Sequence, residues 1–350
     1  MAGNVIVCGF AGTEAPPTIH AWLGEQAVAG LILFKRNIDE LHQAMALIAS
    51  CVERNDAANP ILVSVDQEGG RVARFGEPIL QLPAMRTLAA AGDARLTREA
   101  ARVLGRQLRA IGVNLNFAPV LDVDTNPRNP VIGDRAFGRT PEAVIEHALA
   151  FADGLHAGGV LSCGKHFPGH GDTDLDSHLA LPTLRHDRRR LEDVELRPFV
   201  AAAGRIPSLM TAHVLFEAVD AEVPATMSRA AITELLREEI GFEGAVFSDD
   251  LEMKAISDRY SIEEAGVLAI EAGCDLLLVC SDLDAAARLR EALAAEADRS
   301  KTFGVRLAEA RARADALRQG VVGLPPAVPL KIALESAEAQ SVRARLQQLE

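Results

Sequence analysis

Eight short apolar runs, each bounded by turn residues, constrain this chain more than any other feature. They are NVIVCGF (4–10), AGLILF (29–34), ILVSVD (61–66), VNLNFAPV (113–120), LSCGKHF (161–167), SLMTAH (208–213), GAVFSD (244–249) and DLLLVC (275–280). Their near-continuous apolar character is that of strands covered on both faces, as in a parallel sheet. Intervening stretches such as 39–54, 141–157, 187–203 and 228–240 read as amphipathic helices. Leu41, Met45, Ile48 and Val52 fall at i, i+4, i+7 and i+11, one helical face, and Ser228 stands where an N-cap is needed. Strand followed by helix, eight times, is the arithmetic of an α/β chain folded as one TIM-like (β/α)8 barrel. A doubly wound open sheet begins with the same βαβ units and is the competing architecture. No Gly/Pro/Ser-rich linker divides the chain at its middle. The break GVVGLPPAVPL (320–330) leaves a barrel over residues 1–325 and a charged, helix-prone tail over 326–350, too short to be a second domain.

Composition removes several classes of function. With 49% apolar and 24% charged residues, the 350-residue chain has a core to bury and is no disordered polymer. A net charge of −13, with no basic run interleaved with aromatics, excludes nucleic acid as a partner. Five scattered cysteines (Cys8, Cys51, Cys163, Cys274, Cys280), without CxxC spacing, argue against a disulfide framework and a structural zinc site. The N-terminus lacks a positive leader region, and no apolar window reaches membrane-spanning length. The expectation is a cytoplasmic protein, monomeric and without a membrane partner.

In a barrel the side chains at the C-terminal strand ends converge on one mouth. Here Asp66 closes the third run, Asp122 follows the fourth, Lys165 and His166 close the fifth, His213 the sixth, and Asp249 and Asp250 the seventh. Titratable groups repeated at equivalent ends point to a shared polar pocket, although any one alone reads as a helix cap or a satisfied core residue. The densest stretch is KHFPGHGDTDLDSHLALP (165–182). Its alternating Asp172, Asp174 and Asp176 do not make a calcium loop, because Ser177 stands where glycine is required and Thr183 where glutamate is expected. A transition-metal site built from the 166–178 His/Asp cluster, including His166, His170 and His178, stays open as an alternative. The segment VDQEGGRVARF (65–75) joins Asp66 to Arg71 and Arg74 across two glycines, and RNPVIGDRAFG (128–138) offers Arg135 on a loop. A carboxylate among arginines suits a hydroxyl-rich ligand with amide or carboxylate groups. Neither glycine pattern is a P-loop or a dinucleotide fingerprint.

Together KHFPGHGDTDLDSH, VDQEGGRVARF, GDRAFG and FSDDLEM resemble, in the same order, the signature stretches of the bacterial β-N-acetylglucosaminidases (β-hexosaminidases) of glycoside hydrolase family 3, the single-domain NagZ type. That resemblance implies a barrel that removes terminal non-reducing N-acetylglucosamine with retention of configuration. It implies a small amino-sugar substrate, GlcNAc-1,6-anhydro-MurNAc and its peptide-bearing forms from peptidoglycan recycling, and neither metal nor cofactor. By the same match Asp249 would be the nucleophile, His178 the proton donor and acceptor, and Asp176 the partner that orients His178. Asp66, Arg74, Arg135, Lys165 and His166 would bind the sugar.

These residue types suit the reaction. Retaining hydrolysis needs a carboxylate beneath the anomeric carbon and a proton donor at the leaving oxygen. A strand-end aspartate meets the first need, and a histidine with an unperturbed pKa near ~6.5 can meet the second, departing from the two-carboxylate template. A donor on a loop opposite a nucleophile on a strand predicts that the loop closes over bound sugar. Aromatic residues are 4% of the chain, so recognition should rest on polar contacts. A sugar-binding protein without turnover is a further alternative, separated from the enzyme by whether product forms.

Overall fold

The eight apolar runs are the eight strands of a closed, all-parallel barrel. In a computed structural model describing residues 2–53, 55, 59–177 and 179–349, the strands are β1 (Ile6–Cys8), β2 (Gly30–Leu33), β3 (Leu62–Val65), β4 (Leu115–Asn116), β5 (Leu161–Phe167), β7 (Ser208–Thr211), β9 (Ala245–Asp250) and β10 (Leu276–Val279). β6 (Thr183–Leu184) and β8 (Leu215–Phe216) form a separate parallel pair that ties the loop after β5 to the loop after β7. β1 pairs with both β2 and β10, which closes the cylinder and excludes the open doubly wound sheet.

Helices occupy every crossover, among them Leu41–Val52, Ala94–Ile111, Pro141–Gly158, Ile262–Ala272 and Leu283–Arg299. Two expectations are refined. Leu41–Val52 buries Ala44, Leu47, Ile48 and Cys51, while Val52 is 44% exposed. Small Ala44 and Cys51 let the helix lie close to the barrel and turn its packed stripe away from Val52. The stretch 187–203 is not one helix but a short turn, a π-helical turn Leu191–Glu195 and Arg197–Ala202. Pro198 has no N–H for regular i→i−4 bonding at that point. Ser228 caps as its position predicts, its Oγ accepting from Ala231 N at 3.1 Å.

Alternate residues of each strand point inward. One apolar cluster fills the barrel, with Val7, Ile32, Leu62, Leu115, Leu161 and Phe247 among its members, and Ala314, Leu317 and Val321 at the end of helix Lys301–Gly320 join it. The larger cluster lies between barrel and helices. Two further helices, Leu330–Glu335 and Ala337–Leu346, lie against Ala94–Ile111: Glu338 pairs with Arg102 and Arg106, Gln107 donates to Ala333 O, and Ala339, Val342 and Leu346 are buried.

Helices Ala94–Ile111 and Pro141–Gly158 approach backbone to backbone. A Cβ on Gly158 would stand 2.6 Å from Arg102 O and 2.8 Å from Arg106 N, whereas one on Gly24 would meet nothing within 4 Å. Gly158→Ala should therefore destabilise by about 1–3 kcal/mol, the cost of overpacking. Gly24→Ala should be neutral or slightly stabilising in the same thermal unfolding series.

Candidate active site

The inward rows of seven strands run out into one cavity of about 310 Å³. Continuing each period-two row past its apolar layers gives Phe34 after Ile32, Asp66 after Leu62, Phe117 after Leu115, Lys165 after Leu161 and Cys163, Met210 on β7, Asp249 after Phe247 and Cys280 after Leu278, and all seven end residues line it. On β1 the corresponding residue is Gly9, where a Cβ would stand 1.9 Å from Cys280 O. The cavity volume lies at the lower end of the ~300–1,000 Å³ of small-molecule sites. That size fits a ring, not a chain.

A chain of alternating charges holds one wall. Lys165 Nζ donates to Asp66 Oδ1 at 2.7 Å and to Glu68 Oε1 at 2.6 Å, Arg74 reaches Asp66 Oδ2 at 3.1 Å, and Arg135 grips Glu68 through two bonds of 2.9 Å. An ammonium has three protons, so Lys165 keeps one for a ligand, and each Asp66 oxygen keeps a lone pair. Burial pushes the carboxyls of Asp66 and Glu68 upward, but Lys165 with Arg74, and Arg135 with Lys165, more than offset it and hold both below the usual carboxylate range. Burial likewise works against the Lys165 ammonium, and Asp66 and Glu68 overcome it, raising its pKa.

The loop after β3 returns to the mouth because Gly69 and Gly70 adopt φ of 124° and 54°. Gln67 braces it. Its amide carbonyl accepts from Arg74 N at 2.7 Å and Phe75 N at 3.0 Å, while its backbone N and O pair with Asn116 at 2.9 and 2.8 Å.

Behind the opposite wall sits Asp122, fully buried, which fixes the start of the loop after β5. It meets His166 Nδ1 at 2.6 Å and accepts from His170 N at 2.6 Å and His166 N at 3.2 Å. Burial raises its pKa, and the charge and hydrogen bond of His166 bring it below the ordinary value. Occupation of Nδ1 leaves His166 Nε2 as the ring's remaining polar atom. Further along, Gly171 passes so close to the preceding crossover that a Cβ would lie 1.9 Å from Val123 O. Asp172 takes Thr125 Oγ1 at 2.7 Å and His186 Nε2 at 2.5 Å, and Asp176 and Ser177 reach the cavity. His178 lies outside the described residues.

At the end of β9, Asp249 Oδ1 accepts from Asp250 N at 2.8 Å, which sets the carboxylate's orientation. Asp250 Oδ1 accepts from Glu252 N at 3.1 Å and Cys280 N at 3.3 Å. Burial, then the nearby charges of Glu252 and Asp249, push the Asp250 carboxyl up to about 7.

Of the residues expected at the mouth, Asp66, Arg74, Arg135, Lys165, His166, Asp176 and Asp249 line one cavity. His213 does not. Its Nδ1 meets Thr226 Oγ1 at 2.7 Å and its Nε2 donates to Asp250 O at 2.9 Å, so it supports the end of β9 from behind. Sequence reasoning passed over Glu68, whose signal was a second carboxylate two residues after Asp66, and left Asp122 without a role. Among the described residues no group of three or more His, Cys, Asp or Glu side chains is arranged to hold a metal ion.

The site can therefore seat a small polyhydroxylated ligand between fixed charges and present a carboxylate, Asp249, from a rigid strand. Two changes test this electrostatic picture. Glu68→Ala leaves the buried Arg135 guanidinium and part of the Lys165 charge uncompensated, and should cost about 3–5 kcal/mol in denaturant unfolding. Asp250 titrates higher folded than unfolded, so its contribution is full below about pH 4 and is lost as pH rises through about 7. Asp250→Asn should consequently flatten the wild-type decline in stability across that window, measured by Tm against pH.

The match to known proteins is extensive. The model of the glycosyl hydrolase family 3 N-terminal domain matches residues 10–313. The chain is 40% identical over 294 residues to a β-hexosaminidase of Idiomarina loihiensis, covering 82% of this chain and 87% of that one. It is 44% identical over 276 residues to a β-hexosaminidase of Neisseria meningitidis serogroup B, covering 76% and 75%. Among solved structures, a family 3 β-N-acetylglucosaminidase from Paenibacillus superposes with a TM-score of 0.91 at 41% identity, over 99% of this chain and 68% of that one. NagZ of Neisseria gonorrhoeae in complex with N-trifluoroacetyl-D-glucosamine gives 0.83 at 33% identity, over 99% and 98%.

Proposed function

The chain belongs to glycosyl hydrolase family 3 and is a β-N-acetylhexosaminidase, and we propose that it releases terminal non-reducing N-acetylglucosamine by double displacement with retention of configuration. The observation that carries this reading is that Asp249, from the strand β9, and Asp176, from the loop after β5, open onto the same ring-sized cavity. In the first step the Asp249 carboxylate attacks the anomeric carbon, forming a glycosyl ester, while His178 gives its proton to the departing oxygen. Asp176, two residues before His178, selects the imidazole tautomer and stabilises the imidazolium. In the second step the neutral imidazole takes a proton from water, which attacks the ester and frees Asp249.

Asp66, Arg74, Lys165 and His166 bind the sugar's hydroxyl and N-acetyl groups. Arg135 contributes mainly through Glu68, since its guanidinium is already engaged with that carboxylate. The complex of the similar gonococcal protein holds an N-acylated glucosamine, which supports an amino sugar as the bound ring. The natural substrate is GlcNAc-1,6-anhydro-MurNAc and its peptide derivatives in peptidoglycan recycling, met by a cytoplasmic monomer that uses no metal or cofactor. All five cysteines are buried and free, as a reducing compartment leaves them. Among the described residues no helix is long and apolar enough to cross a membrane.

The test is hydrolysis of an aryl β-N-acetylglucosaminide followed by proton NMR, with chelator present. The β-anomer should appear first, a fluorinated slow substrate that keeps the N-acetyl group should label Asp249, and Asp249→Ala should reduce turnover to background. First release of the α-anomer, or labelling at another residue, would remove the mechanism. Loss of activity to chelator would restore the metal-dependent alternative.

A further inference from the structure

One buried group on the cavity wall takes no part in the chemistry above: the imidazole of His170. It is 1% exposed, and both ring nitrogens are occupied, Nδ1 by Thr173 Oγ1 at 2.7 Å and Nε2 by Ser177 Oγ at 3.0 Å. The backbone on either side is fixed too. His170 N donates to Asp122 at 2.6 Å, and His170 O accepts from Asn129 Nδ2 at 2.8 Å. No nitrogen of this ring remains for substrate, so its role is mechanical.

What it grips is the residue between the two members of the Asp176–His178 pair. Ser177 is 2% exposed and is held from two directions, its hydroxyl by His170 and its carbonyl by Ala255 N at 3.2 Å. Ala255 belongs to the short helix Lys254–Ser257 that follows the nucleophile strand. Ser177 thus pins the loop after β5 to the segment that carries Asp249.

The proton inventory is consistent with a neutral ring. Thr173 Oγ1 accepts from Asn129 Nδ2 at 3.2 Å and lies 3.1 Å from His170 O. When Thr173 gives its single proton to that carbonyl, Nδ1–H donates to Thr173 and Nε2 accepts the Ser177 hydroxyl proton. Burial, with the adjacent His166, depresses the His170 pKa to about 4, so the ring stays neutral where carboxylate and imidazole chemistry runs.

We infer that His170 is a positioning residue, a latch whose bond to Ser177 holds the neighbouring Asp176 at the cavity and so serves the proposed work of Asp176 with His178. The inference rests on the proposed donor role of His178, and the experiment separates the two. Three variants, His170→Phe, Ser177→Ala and His178→Ala, are compared with a dinitrophenyl β-N-acetylglucosaminide, whose leaving group needs no proton, and with an alkyl one, whose leaving group does. Ser177→Ala removes only a hydroxyl, and so reports on the latch even if His170→Phe folds poorly.

The expected result is a loss of kcat/KM, which reports the first displacement alone, about ten- to a hundredfold larger on the alkyl substrate than on the dinitrophenyl one. A fourth variant that combines His170→Phe with Ser177→Ala should be no worse than His170→Phe alone, because both changes break one bond. Equal losses on both substrates from His170→Phe and Ser177→Ala, beside a strong leaving-group bias from His178→Ala, would overturn the latch alone. Additive losses in the double variant would overturn it as well. No bias from His178→Ala would overturn the donor assignment and the latch with it.

Discussion

The alternation of side chains along a strand, imposed on a closed cylinder, is the constraint from which the site follows. A strand in the barrel must send every second residue inward, and the inward residues must fill the cylinder until the strand ends. Apolar layers do so for β5 and β9, and the next residue in each row is Lys165 or Asp249, whereas on β3 the buried Ser64 stands between Leu62 and Asp66. Each group is thus aimed by the packing beneath it. The same row in β1 ends in Gly9, where Cys280 O leaves no room for a side chain. Closure of the barrel therefore fixes which groups can meet at the mouth before any loop is considered.

Charge makes the second layer of order. Five carboxyl groups, those of Asp66, Glu68, Asp176, Asp249 and Asp250, line one small cavity and would repel one another if left to themselves. The structure separates them into two regimes. Asp66 and Glu68 are held ionised by Lys165, Arg74 and Arg135, which also stitch the crossovers after β3 and β4 to the end of β5. Asp250 is pushed the other way, by burial and by Glu252 and Asp249, and among the described residues it forms no ion pair. One side of the cavity can offer fixed charges to hydroxyl groups, while the other keeps the neighbourhood of Asp249 from accumulating charge. The ion pairs position more than they stabilise, since a buried pair returns little beyond its desolvation cost.

The barrel was legible because its signal is repetition: eight apolar runs, each with turn residues on both sides, leave few arrangements open. The mouth was legible for a related reason, as titratable residues close those runs. Choosing between neighbours was harder. Lys165 and His166, or Asp249 and Asp250, differ by one step of the pleat, and the inward row that separates them depends on registers set by pairing with other strands. His213 ends its run just as Asp249 does, yet it faces Thr226 and the backbone of Asp250, because β7 leaves the ladder at Thr211 and the chain turns toward β8. Glu68 escaped notice because its partners, Lys165 and Arg135, lie 97 and 67 residues away in the chain. The packed face of Leu41–Val52 was misjudged because Ala44 and Cys51 carry little weight in an apolar pattern and much in close approach.

On the proposed reading, this distribution of charge also bears on why an imidazole suits the donor's place. A carboxylic acid that must give a proton near neutrality has to be kept protonated, by an apolar pocket or by a nearby like charge. Either device demands burial, and a buried donor cannot easily ride on a loop that admits substrate. An imidazole titrates near ~6.5 without such help and can cycle from an exposed segment. On the proposed reading, the protein spends its burial elsewhere. Asp122 fixes the loop's beginning through His166 and His170, Asp172 is bound by Thr125 and His186, and Ser177 is held by His170 and Ala255. Those anchors stand at both ends of the short run 173–176, so the loop is pinned on either side of the segment that leads to the donor. Order is thereby supplied by neutral and paired groups along the segment that precedes the residue proposed as donor.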